Sequence, residues 1–207
     1  SGNANCTYVV YRDDGTQAFS RSLSPIAPGD SAYVFTPSET GFPTGTFAGV
    51  VQCDRQVAVV VNFSDENKGD SYVGTGTPRS TLYIPSVYRN YFNFATSLRL
   101  QNASNSAQRV TIEYFAPGSS SAVTSTTVDL QPNGAATIEQ ATVSALQPNV
   151  AYSARITGTA DLAAMVNIYG VPGTNVANQL YSYSAFGDGS TQPIYVPVIM
   201  RNYYGYN

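Results

Sequence analysis

Residues 82–94 read LYIPSVYRNYFNF, and residues 194–206 read IYVPVIMRNYYGY. Tyr83, Pro85, Arg89, Asn90 and Tyr91 of the first stretch recur as Tyr195, Pro197, Arg201, Asn202 and Tyr203 of the second. Both open on apolar side chains that alternate with a period of two, the mark of a β-strand. The same alternation runs through CTYVVY (6–11), TSLRLQN (96–102), RVTIEYF (109–115) and YSARITG (152–158). Between these segments stand DDGT, PGD, NKGD, PGSSS, QPNG and GDGS, turn chemistry at the spacing of a sandwich or barrel. Helical periodicity is absent, so the chain reads as all-β.

Self-comparison shows two copies of one pattern. FAGVVQCDRQVAVVVN (47–62) lies over YSARITGTADLAAMVN (152–167), and IAPGDSAYVF (26–35) over LQPNGAATIE (130–139). Upstream, SGNANCTYVVY (1–11) falls on SNSAQRVTIEY (104–114), which sets DDG (13–15) on APG (116–118). A unit of about 100 residues matches an immunoglobulin-like sandwich. The expected organisation is therefore two tandem immunoglobulin-like β-sandwich domains plus a C-terminal donor strand. Residues 1–77 form a sandwich lacking its two opening strands, 78–190 form a complete one, and 191–207 begin a further unit.

Composition removes several functions. The chain has 207 residues, 10 Lys and Arg against 13 Asp and Glu, a net charge of −3, and neither His nor Trp. No basic cluster is present to meet a phosphate backbone, so nucleic acid is not an expected partner. No apolar run approaches the roughly 20 residues of a membrane helix. Without His there is no Ser-His-Asp or Cys-His catalysis, and no acids are framed as a catalytic pair, so no enzyme is expected. Few charges, much Ser, Thr, Tyr and Val, and two Cys describe an extracellular, cell-surface β domain.

The terminal stretch then poses a physical problem. Ile194, Val196, Val198 and Met200 alternate on one face, and Tyr195, Pro197 and Ile199 on the other. Four such side chains, buried at ~1.5 to 3 kcal/mol each, give a gross drive to pair on the order of 6 to 12 kcal/mol. Arg201, Asn202 and Tyr203 extend the match. Only seven residues separate Phe186 from Ile194, at most about 25 Å, too short to cross one sandwich and enter the other. The expected home of Ile194 to Tyr203 is thus the incomplete first domain of an identical neighbour, with Val9, Tyr11, Val59, Val61 and Tyr72 as candidate acceptor residues. Such a head-to-tail contact that does not close produces an open filament.

The pattern VPxxxRNYxG, the PG or NG turn before SAxV or AAT, and the AAxVN strand resemble tandem Ig-like repeats of secreted bacterial cell-surface proteins. The displaced strand is similar in its logic to donor-strand pili. The resemblance implies a structural, fibre-forming or adhesive protein. It has one departure: the tail stops at the equivalent of Ala95, and nothing replaces the strand TSLRLQN. A segment of a long tandem-repeat adhesin or S-layer-like protein is therefore the alternative reading, and a glycan-binding β-sandwich, suggested by the 16 Tyr, is a third.

The remaining residues of note are few. Cys6 and Cys53 lie at the ends of strands expected to be antiparallel neighbours, which predicts a disulfide. Asp65, Asn67 and Asp70 in DENKGD offer oxygen ligands for calcium, though without EF-hand spacing. Asn5, Asn62 and Asn102 head N-x-S/T sequons, possible glycosylation sites in a number that chance supplies. No other metal or cofactor is called for.

Overall fold

The computed structural model describes residues 2–194 and 197, so the terminal segment lies almost wholly outside the described residues. The described chain is antiparallel β throughout, with two short 3₁₀ turns and no α-helix.

In the carboxy-proximal half, β6 (Arg79–Val87), β7 (Phe94–Asn102), β8 (Gln108–Phe115), β9 (Ala122–Leu130), β10 (Ala135–Glu139), β11 (Tyr152–Gly170) and β12 (Leu180–Ser184) surround one core. The 19-residue β11 is shared between two ladders. Its first part pairs with β8 on one edge and β6 on the other, and its second part with β7 and β12. Leu82 and Ile84 of β6, Leu98 and Leu100 of β7, Val110, Ile112 and Tyr114 of β8, and Ile156 and Val166 of β11 are buried together between them. β11 passes from one ladder to the other at Gly158, where a Cβ would lie 2.3 Å from the Gln108 side-chain oxygen. That oxygen accepts the Ala160 N–H, while the Gln108 amide donates to Asn102 Oδ1 at 2.7 Å. Gln108 and Asn102 are both buried, and Asn102 in turn donates to the carbonyls of Ser106 and Gln131. Such a network is stable in the interior because its buried polar atoms find partners.

The amino-proximal half repeats this pattern in part. β1 (Cys6–Tyr11), β2 (Gln17–Ser22) and β3 (Ala48–Cys53) form a sheet in the order β2-β1-β3, and β4 (Val60–Ser64) and β5 (Gly69–Val73) form a separate hairpin. The ladders match pair for pair. Val10↔Gly49 and Thr7↔Gln52 in β1–β3 correspond to Tyr114↔Ala154 and Thr111↔Thr157 in β8–β11. Val61↔Tyr72 and Phe63↔Asp70 in β4–β5 correspond to Val166↔Tyr183 and Ile168↔Tyr181 in β11–β12. Both β1–β2 and β8–β9 carry a bulge at the same place, between Val10 and Tyr11 and between Tyr114 and Phe115.

These registers correct the sequence alignment of 1–11 with 104–114. Cys6 corresponds to Val110 and Val10 to Tyr114, one residue away from the pairing that the sequence predicts. The cause is the turn. Gly15 donates its N–H to Arg12 O as the fourth residue of its turn, whereas in the counterpart Ser119 donates to Ala116 O and Gly118 is the third. Laying glycine on glycine therefore slips the strand by one, and a one-residue slip exchanges the two faces of a strand.

Among the described residues, hydrogen bonds join the halves at two places. Asp13 at the β1–β2 turn meets Arg99 of β7 at 2.5 Å, and its carbonyl accepts the Ala135 N–H. Ser184 of β12 donates its hydroxyl to the Val73 carbonyl of β5.

Candidate functional site

The site is built from what the amino-proximal half leaves unpaired. In the carboxy-proximal half β11 is paired on both edges along both parts. Its counterparts β3 and β4 are each paired on one edge only among the described residues. The outer edge of β3 corresponds to the edge of β11 that β6 occupies, and the outer edge of β4 to the edge that β7 occupies. Residues 2–77 contain no counterpart of β6 or β7. Nor do residues 31–35, which align with β10, form a strand. The reason is local: β10 pairs with β7, and without that partner the segment has no ladder to join.

Burial follows the same division. Ile112, Leu146, Ile156 and Val166 are fully buried, while their counterparts Tyr8, Phe42, Val51 and Val61 are only half-buried. Tyr33 is 75% and Phe35 51% exposed, stacked on one another at 6.2 Å. Neither β3 (AGVVQC) nor β4 (VVNFS) carries a charge or proline of the kind that guards a free edge. An uncharged edge beside half-buried apolar side chains is chemically suited to receive a strand.

The predicted residues fall around this opening in different ways. Val59 and Val61 are half-buried, Val61 within β4 and Val59 just before it, with the Val59 carbonyl accepting the Gly74 N–H. Burial pushes the phenols of Tyr8 and of Tyr72 on β5 up, Tyr8 further through the charge of Tyr72. Its counterpart Tyr183 donates to the Ser86 carbonyl of β6 at 3.4 Å, whereas Tyr72 donates to no described residue. Val9 and Tyr11 lie on the face of β1 opposite Cys6 and Val10, both buried, so the interior of this half is lined by Cys6, Tyr8 and Val10. The slip at the turn is what hid Tyr8. Of the terminal segment only Ile194 and Pro197 are described, both exposed and outside any strand; Tyr195, Val196, Val198, Ile199, Met200, Arg201, Asn202 and Tyr203 lie outside the described residues.

Cys6 and Cys53 form a disulfide across directly paired positions of β1 and β3. Cys53 is the counterpart of Gly158, so the bridge stands where β11 continues in one half and the chain leaves the strand in the other. Asn5 closes this end, donating its backbone and amide N–H groups to Asp54.

The other candidates have local roles. Asp65 in the β4–β5 turn accepts the N–H groups of Asn67 and Lys68, and these bonds hold its carboxyl below the usual range. Asp70 is in β5, and no group of three or more acidic, Cys or His side chains converges among the described residues. Asn62 is exposed on β4, whereas Asn102 has no exposed surface. No helix among the described residues is long and apolar enough to cross a membrane.

No family model matches the chain, and no curated protein matches it. A solved structure described as Thermotoga maritima 1070 is similar over 54% of this chain and 97% of its own, with 11% identity and a TM-score of 0.47.

Proposed function

We propose that this chain is the structural subunit of an extracellular filament, two immunoglobulin-like sandwiches polymerised head-to-tail by donation of residues 194–203 to the first sandwich of a neighbour. One observation carries the reading. The two halves share their ladders pair for pair, the β3 edge that matches the β6-bearing edge of β11 has no partner among the described residues, and the sequence of 82–88 recurs in pattern at 194–200.

Transfer of the β6–β11 register gives the docked geometry. Ile84↔Ala154, Tyr83↔Arg155 and Leu82↔Ile156 become Val196↔Gly49, Tyr195↔Val50 and Ile194↔Val51. The buried Leu82, Ile84 and Val87 become Ile194, Val196 and Ile199, whose burial at ~1.5 to 3 kcal/mol each stabilises the joint by roughly 5 to 9 kcal/mol gross. The phenol of Tyr72 then has the carbonyl of residue 198 as its acceptor, as Tyr183 has that of Ser86. Uncharged edges without edge protection and a disulfide accord with an extracellular fibre.

The test is a paired cysteine substitution, Val50→Cys with Tyr195→Cys. Oxidation should convert purified material into a ladder of covalent multimers on non-reducing gels. Closure within single chains, or no closure at all, would sink the reading.

A second reading has its own support. The vacancy along β4 and residues 31–35 calls for a counterpart of β7, which residues 194–203 do not supply. In a long tandem-repeat surface protein one polypeptide supplies both strands. Stringent denaturing electrophoresis of the native material separates the two: bands near 22.0 kDa support polymerised subunits, and a far longer chain supports the tandem array.

A further inference from the structure

The Arg-Asn-Tyr that follows β6 has a receiving site of its own. Arg89 Nη1 donates to the carbonyls of Leu146 at 2.7 Å and Ser144 at 3.2 Å, and its Nε to that of Ala141 at 3.4 Å. Those carbonyls belong to a loop with a defined fold. A 3₁₀ turn, Gln140–Thr142, is closed by the Val143 N–H on Gln140 O at 3.1 Å. The Leu146 N–H then bonds Val143 O at 3.0 Å, and the Thr142 hydroxyl bonds Glu139 O at 2.7 Å.

Residues 35–42 reproduce those three bonds. The 3₁₀ turn Thr36–Ser38 is closed by the Glu39 N–H on Thr36 O at 3.2 Å. The Phe42 N–H bonds Glu39 O at 3.1 Å, and the Ser38 hydroxyl bonds Phe35 O at 3.0 Å. The counterparts of the Ala141, Ser144 and Leu146 carbonyls are those of Pro37, Thr40 and Phe42. Among the described residues no donor reaches any of the three. The loop is therefore shaped as though an arginine were present, and held so by its own bonds and by the packing of Phe42 on Phe19 and Phe47. Its sole carboxylate, Glu39, is engaged by Arg21, whose guanidinium makes no bond to the three carbonyls.

We propose that residues 35–42 form a guanidinium socket, the carbonyls of Pro37, Thr40 and Phe42, that takes Arg201 of a second copy of this chain. The occupant is assigned by sequence interval: Arg201 follows Pro197 as Arg89 follows Pro85, and Asn-Tyr follows each arginine. A planar fork of donors suits three converging carbonyls better than a lysine ammonium does. The inference rests on strand donation and adds to it. The apolar strand supplies adhesion, which any greasy β-segment could provide, and the arginine fixes register and identity because only one alignment along β3 brings it to the loop.

The experiment uses full-length chain made unable to donate by Ile194→Asp, Val196→Asp and Val198→Asp, titrated with a fluorescent peptide of residues 193–207. The unsubstituted peptide should bind, the R201Q peptide about tenfold to a hundredfold more weakly, and the R201K peptide between them. With carbonyl-¹³C phenylalanine in the acceptor, the Phe42 signal should move with the unsubstituted peptide and not with R201Q. Equal affinity for the unsubstituted and R201Q peptides would overturn the socket and leave strand donation standing. Failure of every peptide to bind would overturn strand donation and the socket with it.

Discussion

Cys53 and Gly158 occupy the same ladder position and do opposite things. Glycine lets β11 run on past the Gln108 side chain, while in the other half the strand stops and a disulfide holds its end. The bridge closes a loop with a sequence separation of 47, for which the chain-entropy relation gives about 4 kcal/mol. Reduction, or Cys6→Ala with Cys53→Ala, should lower the unfolding free energy of the amino-proximal half by about that amount in urea titrations, and leave the carboxy-proximal transition in place. In that second half Asn102 is the polar counterpart of such a staple. Asn102→Ala strands the Gln108 amide and two carbonyls in the interior and should cost about 2 to 4 kcal/mol in the same titration. Tyr183, pushed up to about 12 chiefly by burial, gives the fold an alkaline limit. Its folded value exceeds the unfolded one near 10, so the phenol contributes stability in full below about pH 10 and loses it as pH rises toward 12. Thermal melts between pH 9 and 12 should show a smaller decline in Tyr183→Phe than in the unsubstituted chain.

Among the elements, equivalent strands meet different surroundings. Ile156 of β11 and Val51 of β3 hold matching positions, yet Ile156 is sealed by β6 and Val51 is half-buried at an open edge. Ile156→Ala should cost about 2 to 5 kcal/mol, the range for a closed core. On the proposed strand donation, Val51→Ala should cost less than about 1 kcal/mol in dissociated subunits and substantially more in assembled material, a difference that urea unfolding of the two forms reads directly. Residues 31–35 and β10 give a second contrast. Lacking a ladder, the amides of 31–35 should exchange with deuterium far faster than those of Ala135–Glu139, and assembly should leave them fast unless a further strand is also supplied.

For the whole molecule, the proposal separates folding from polymerisation. The carboxy-proximal half has a closed core, and the amino-proximal half has few buried residues of its own, Ala4, Cys6, Val10 and Ala48 among them. Deleting residues 193–207 should abolish filaments in negative-stain images while the carboxy-proximal half still unfolds cooperatively; undiminished filaments would refute donation. The halves are joined at Asp13–Arg99 and at Ser184–Val73. Asp13→Ala leaves the largely buried Arg99 guanidinium with the Thr137 hydroxyl as its remaining side-chain partner, so it should lower the melting point measured by calorimetry.

Much of this was legible in the chain itself. Period-two alternation and turn chemistry determine the β class, because side-chain direction alternates along any strand. The recurrence of YxPxxxRNY, on which the proposed donation rests, is likewise visible in the chain alone. The alternation also brought Cys6 and Cys53 to adjoining strand ends. Other features needed the fold. The register of β1 was hidden because glycine holds different places in two otherwise equivalent turns. The sharing of β11 between two ladders depends on pairings far apart in sequence. The carbonyls around Arg89 are backbone atoms, which no side-chain pattern encodes, and only their three-dimensional arrangement reveals that residues 35–42 repeat it.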